Sequence, residues 1–173
     1  MTNKESIDAL KDSTKSNLIE AEGVQLRVKP VSAMLLQEIT SHIPDPQPPL
    51  LPNPDKDNRL EPNPFDPAYM SGLREAQSRR NLATSDALIM FGLELVDGLP
   101  KDETWLIKLK KLEKMGLIDL TGIDFDDPFE KEFAFKKFIA GTTPAIMEVT
   151  KASGVSQEDV DAAIATFPGN ATQ

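Results

Sequence analysis

A cluster of prolines is the feature that most restricts how this 173-residue chain folds. Each proline lacks an N–H donor and restricts the backbone of the residue before it, so the cluster forms neither a helix nor a central strand. The pattern predicts an irregular, extended arm or linker over residues 44–66. A stretch of this length without regular structure is normally functional or a linker, and composition leaves both open. Of the 14 prolines, nine lie in this part of the chain: Pro44, Pro46, Pro48, Pro49, Pro52, Pro54, Pro62, Pro64 and Pro67.

Before the prolines, residues 23–43 have the pattern of a strand followed by a helix, and residues 1–22 are expected to be a flexible tail. Val24, Leu26 and Val28 alternate with polar residues, which is the period of a half-buried strand. Ser32 is suited to cap a helix over residues 33–43. One strand cannot exist alone, so it must join another sheet, pair within an oligomer, or prove not to be a strand.

After the prolines the pattern is helical, which predicts a domain over residues 67–167 and a frayed tail at 168–173. Asp66-Pro67, Asp127-Pro128 and Thr143-Pro144 each combine a polar residue with a first-turn proline, a typical helix start. Residues 87–96 are apolar nearly all round and predict a buried helix. The predicted class is mainly α: five to six helices, preceded by a short strand–helix unit and a long irregular segment. Helices are predicted from Pro67, over 87–96, 103–115 and 129–140, from 143 to about 154, and over 156–167.

Charge and composition exclude several classes of function. The chain has 19 Lys and Arg against 28 Asp and Glu, a net charge of −9, which argues against binding to nucleic acid or to anionic lipid. It has no Cys and a single His, so disulfides, thiolate zinc sites and His-based metal sites are not expected. No apolar run has the length of a membrane span or a signal peptide, which favours a cytosolic protein.

Polar clusters that resemble chemical sites have simpler explanations. The segment from Asp55 to Asn58 begins like a calcium loop, but the sixth position is Leu60 instead of Gly and the twelfth is Asp66 instead of Glu. Acidic residues at 124–127 are expected at a helix start. We therefore predict no catalytic, cofactor-binding or metal-binding residues. His42 is assigned to the end of the first helix, and a lysine run is assigned to the solvated face of another: Lys108, Lys110, Lys111 and Lys114.

Partner binding remains the most informative hypothesis. The proline-rich segment interleaves apolar residues with its prolines, as docking arms do, because a stiff extended chain loses less entropy on binding. A tolerated linker is equally compatible with the composition. The apolar residues of the segment are Leu50, Leu51, Leu60 and Phe65.

Three consecutive stretches of residues 23–95 resemble the tail assembly chaperones of long-tailed bacteriophages. They are Val24-Gln25-Leu26-Arg27-Val28-Lys29-Pro30-Val31-Ser32, then Ile43-Pro44-Asp45-Pro46-Gln47-Pro48-Pro49, then Asn63-Pro64-Phe65-Asp66-Pro67-Ala68-Tyr69. The C-terminal helices resemble that family only in general character.

The resemblance implies a non-enzymatic protein of the host cytoplasm that keeps the tape-measure protein soluble, helps recruit tail-tube subunits and is absent from the mature virion. Homo-oligomers are compatible with it. The family supplies no small-molecule site, so the candidate partner contacts are chosen from apolar positions: Leu35, Leu36, Ile39, Phe65 and Tyr69. The alternative is a structural virion protein, a minor tail or head–tail connector component, that exchanges its arm with a neighbouring subunit.

Overall fold

A three-stranded antiparallel sheet pairs the N-terminal hairpin of the described chain with a strand from its middle. The computed structural model describes residues 17–154. Strands β1 (Leu18–Ala21) and β2 (Val24–Val28) form a hairpin, and β5 (Leu93–Leu95) pairs with the other edge of β2. The strand predicted from alternation at residues 24–28 is thus confirmed, and it joins a sheet within its own chain. β1 was not predicted, because residues 1–22 were expected to be a flexible tail.

Five helices and a second, two-stranded sheet complete the described residues. The helices are α1 (Ala33–Ser41), α2 (Pro67–Gly92), α3 (Thr104–Lys114), α4 (Pro128–Phe135) and α5 (Thr143–Ser153), and a π-helical turn (Lys136–Ala140) continues α4. The second sheet pairs β3 (Leu50–Asn53) with β4 (Arg59–Pro62). Helices hold about half of residues 17–154, so the mainly α class is confirmed in outline. The helix predicted at residues 156–167 lies outside the described residues.

Two predictions about secondary structure were wrong. The proline-rich segment is not irregular throughout, because it contains β3 and β4; a two-stranded sheet has no central strand, so prolines are tolerated there. The two helices predicted between residues 66 and 96 are one helix, α2, which no Gly or Pro interrupts between Gly72 and Gly92. Residues 93–95 leave that helix and form β5, where Leu93 and Leu95 alternate into the core.

Helix starts follow the predicted pattern closely. The Asp66 side chain accepts hydrogen bonds from the N–H groups of Ala68 and Tyr69 at 2.9 and 3.0 Å. Asp127 does the same for the first turn of α4. Ser32 occupies the capping position of α1, but its hydroxyl makes no capping bond. At both Asp-Pro starts, the Asp side chain therefore accepts hydrogen bonds from first-turn N–H groups that have no partner within the helix.

The core lies between the three-stranded sheet, the C-terminal half of α2, and α5. Leu26 of β2, Ile89 of α2 and Val149 of α5 are fully buried there. α2 and α5 pack so closely that a Cβ atom added to Gly92 would collide with the Val149 side chain. On the far side, Trp105 of α3 packs edge-on against Phe135, with ring centroids 5.1 Å apart.

A buried lysine closes the end of α2. The Lys136 ammonium group donates to the carbonyl oxygens of Met90 and Leu93, both at 3.0 Å, and lies 3.1 Å from a Glu132 carboxylate oxygen. Its side chain is only 5% exposed. These carbonyls are where α2 ends and β5 begins, and the last carbonyls of a helix have no partner within the helix. Lys136 therefore supplies donors at the junction between helix and sheet.

We expect Lys136→Met to destabilise the fold by about 3 kcal/mol, because it leaves buried carbonyls without a donor at ~1–3 kcal/mol each. The free energy of unfolding in urea measures this. Lys108→Met, at an exposed position of α3, is the matched control and should change stability by less than about 0.5 kcal/mol. A loss below about 1 kcal/mol in Lys136→Met would contradict the assigned role.

Candidate functional site

The proline-rich arm, residues 44–66, is anchored to the N-terminal half of α2. The Arg80 guanidinium donates to the Ile43 carbonyl at 2.9 Å and to the Asp45 carboxylate at 2.7 Å. Pro46 follows Asp45, and its ring lies against Gly72. A Cβ atom added at Gly72 would be 3.1 Å from the Cγ atom of that ring. Arg80 and Gly72 thus fix the direction in which the arm leaves the body of the protein.

Beyond this anchor the arm folds into the β3–β4 hairpin. Leu50 pairs with Pro62, and Asn53 pairs with Arg59 at the loop end. The loop contains a 3₁₀ turn (Pro54–Lys56) followed by Asp57 and Asn58, whose φ angles are +52° and +59°. Asp and Asn tolerate this left-handed conformation better than most residues. The segment that resembled a calcium loop is therefore the connection of a hairpin.

One face of the hairpin is entirely apolar. Directly opposed residues of an antiparallel pair lie on the same face, as do alternate residues along one strand. The register therefore places four apolar residues together, and we call them the arm face: Leu50, Pro52, Leu60 and Pro62. All four are exposed, Leu50 to 56% and Leu60 to 58%. No other part of residues 17–154 covers this face.

The opposite face of the hairpin is mostly polar and internally bonded. The Glu61 carboxylate accepts a hydrogen bond from Lys56 at 2.7 Å and another from the Asn53 side-chain amide at 2.8 Å. These two donors, Lys56 first, hold the pKa of Glu61 below its ordinary value. Leu51, exposed to 52%, is the apolar residue on this side.

The edges of the hairpin are poor templates for a further strand. The Asn63 N–H donates to the Pro49 carbonyl at 2.8 Å, which together with the register makes Leu50–Pro62 and Pro52–Leu60 the pairs whose backbone groups point outward. Since Pro52 and Pro62 have no N–H, each strand offers a single outward donor. Prolines at edges are a known protection against unwanted strand pairing.

The five contacts predicted from the sequence do not form one surface. Leu36 is 8% exposed and belongs to the core, and Ile39 packs partly buried against it. Leu35 of α1 is 36% exposed. Phe65 is 85% exposed directly after β4, and Tyr69 is partly buried in the first turn of α2. Of the five, Phe65 adds most exposed apolar surface beside the hairpin.

Sequence reasoning named the apolar residues of the arm but missed how they are arranged. The available signal was the repeated Leu-x-Pro spacing, Leu50 to Pro52 and Leu60 to Pro62, on either side of a turn-forming Asp57-Asn58 pair. Two such strands in antiparallel register place every Leu and Pro of the repeat on one side.

The remaining polar clusters lie where structural roles suffice. His42 follows α1, and its Nδ1 is 2.8 Å from the Glu38 carbonyl. Asp124 accepts from the Asp126 N–H at 2.9 Å, within the loop that leads to α4. Lys110 of α3 lies 5.9 Å from the centre of the Phe125 ring. The four lysines of α3 are exposed, as predicted for a solvated face: Lys108, Lys110, Lys111 and Lys114.

We expect Arg80→Met to loosen the arm, since it removes about 1 kcal/mol of ion pairing and hydrogen bonding. The chain has no Cys, so spin labels can be placed cleanly with Asp57→Cys at the hairpin tip and Ser78→Cys on α2. Pulsed electron paramagnetic resonance should show a broader distance distribution in Arg80→Met. Arg79→Met removes an equal charge from an exposed position one residue away and should leave the distribution unchanged. Equal broadening in both variants would contradict the anchor.

The Glu61 pairing should disappear in acid. Because the folded pKa of Glu61 is depressed, the pairing contributes above the unfolded pKa and is lost as the pH falls through the folded pKa, which lies below that of an unpaired Glu. The side-chain amide resonances of Asn53 should follow this titration in NMR spectra. Glu61→Gln should abolish the effect, whereas Glu75→Gln, at an exposed position of α2, should not. Asn53 resonances that stay constant in the unmodified protein would refute the assignment.

Between residues 17 and 154, no group of three or more His, Asp or Glu side chains is arranged to hold a metal ion. No helix in this range has both the length and the apolar character needed to cross a bilayer. In comparisons with models of known protein families, with curated proteins and with solved structures, the chain has no match.

Proposed function

We propose that this protein is a non-enzymatic tail assembly chaperone of a long-tailed bacteriophage. It binds the tape-measure protein in the host cytoplasm, keeps it soluble, helps recruit tail-tube subunits and is left out of the mature virion. The observation that carries the proposal is the arm face: a structured, anchored hairpin that presents Leu50, Pro52, Leu60 and Pro62 to solvent. Exposed apolar patches on a folded protein commonly mark sites of interaction with other proteins.

Three further properties support this proposal. The net charge of −9 keeps a complex with an apolar partner soluble, because like-charged complexes repel one another. The sequence around the arm, from Ile43 to Pro49 and from Asn63 to Tyr69, also resembles that of tail assembly chaperones. The anchoring of the arm by Arg80 lowers the entropy that it loses on binding, since the hairpin is ordered before the partner arrives.

Co-expression with the tape-measure protein of the same phage tests the proposal. We expect the tape-measure protein to be mainly insoluble when it is expressed alone, and mainly soluble and co-purifying when this chain is present. Recovery of insoluble tape-measure protein in both cases would refute the proposal.

Mass spectrometry of purified virions separates a chaperone from a structural component. A chaperone should be nearly absent, because it leaves when tail-tube subunits assemble. Presence in a fixed stoichiometry would instead support a minor tail or connector protein, in which the arm face is covered by a neighbouring subunit.

A further inference from the structure

Within residues 17–154 the arm face is exposed, and its chemistry restricts what can bind there. Its four side chains carry no polar atom, and the polar residues of the two strands, Asn53, Arg59 and Glu61, are all on the other side. There the Lys56 ammonium group and the Asn53 side-chain amide both donate to the Glu61 carboxylate. A partner therefore gains free energy on the arm face by burying apolar side chains.

The backbone of the hairpin argues against an added strand. Strand addition obtains its affinity from a ladder of main-chain hydrogen bonds. β3 and β4 each offer one outward N–H, from Leu50 and Leu60, because the next outward position is Pro52 or Pro62. A partner in helical form has its own backbone bonds satisfied and needs none from the hairpin.

The size of the arm face also suits a helix. Strands of four residues give a face about 14 Å long, and two neighbouring strands with their side chains make it ~10 Å wide. The width of the face is about the diameter of a helix, and its length corresponds to about two to three helical turns. A stable dimer buries about 800 Å² on each partner, so two copies of this small face would not hold two chains together by themselves.

Charge selects among helices. Residues 44–66 contain five acidic residues and two basic ones, Lys56 and Arg59, and Arg80 pairs with Asp45, so the arm with its anchor carries 3 − 5 = −2 in a chain of −9. An apolar stripe flanked by lysines or arginines therefore complements the arm, and one flanked by acidic residues is repelled. The acidic residues are Asp45, Asp55, Asp57, Glu61 and Asp66.

We infer that the arm face binds a basic amphipathic helix of the partner, through the side chains of Leu50, Pro52, Leu60 and Pro62 and without strand addition. This inference deepens the proposed function and rests on it for the identity of the partner. One arm face holds such a helix weakly.

The test uses the full chain and three synthetic 18-residue peptides in fluorescence anisotropy. The first is a helix of Leu and Lys with its leucines on one stripe, the second replaces Lys by Glu, and the third alternates Leu and Lys with strand periodicity. We expect the Lys helix to bind and the other two to bind at least about tenfold more weakly. Comparable or tighter binding of the Glu helix or of the strand peptide would overturn the inference, as would no binding of any peptide.

Three variants locate the site. Leu50→Thr and Leu60→Thr should each weaken binding of the Lys helix about tenfold, which is the loss expected when one Leu is no longer buried. Leu51→Thr is the matched control, because Leu51 has similar exposure but lies on the opposite face, and it should change binding less than about twofold. Thr favours strands, so the hairpin is retained in each variant. An equal loss in Leu51→Thr would overturn the inference.

Two additional measurements separate the inference from its alternatives. Sedimentation of the full chain should show no self-association that Leu60→Thr removes; such self-association would assign the face to a second copy and overturn the inference. If co-expression solubilises the tape-measure protein equally well with Leu50→Thr and Leu60→Thr combined, the proposed function stands and the inference fails. If the Lys helix binds the arm face but the tape-measure protein stays insoluble, the proposed function fails and the helix-binding face stands.

Discussion

The structure depends on the contact between one buried ammonium group and the end of one long helix. Lys136 lies where α2 stops and β5 starts, and its donors satisfy carbonyls that neither the helix nor the sheet can satisfy. Without them, the change from helix to strand inside the core would leave buried carbonyls unpaired, which is costly. This change from helix to strand places β5 beside β2. The lysine therefore helps to hold the N-terminal hairpin to the helical part of the chain.

The same helix connects this core to the candidate site. At 26 residues and about 1.5 Å per residue, α2 is ~39 Å long. Its C-terminal end is buried at Gly92 against Val149, and its first turn follows directly from the arm. Arg80 and Gly72 lie between these ends and hold the start of the arm. The position of the arm face is therefore set by a rigid element that is fixed in the core.

Sequence patterns predicted the features that depend on local chemistry. The capping carboxylates of Asp66 and Asp127 followed from their position before a proline, and the strand at residues 24–28 followed from alternation. The strand at Leu93–Leu95 could not be predicted, because its sequence continues an apolar run and only pairing with β2 decides its conformation. The arm face was missed for the same reason: register is a property of two strands together, and no single stretch of sequence contains it. Phe65 could be named as a candidate contact because its exposure follows from its position among prolines and does not depend on pairing with another strand.

The distance along α2 between core and arm has a consequence for how the protein can change. Residues that stabilise the fold, such as Lys136 and Gly92, lie at the C-terminal end of α2. The exposed residues of the hairpin contribute little to the stability of that region. Substitutions in the hairpin can therefore change the surface that it presents at almost no cost to folding. A lineage of such proteins can vary the hairpin alone, while the body that carries it stays the same.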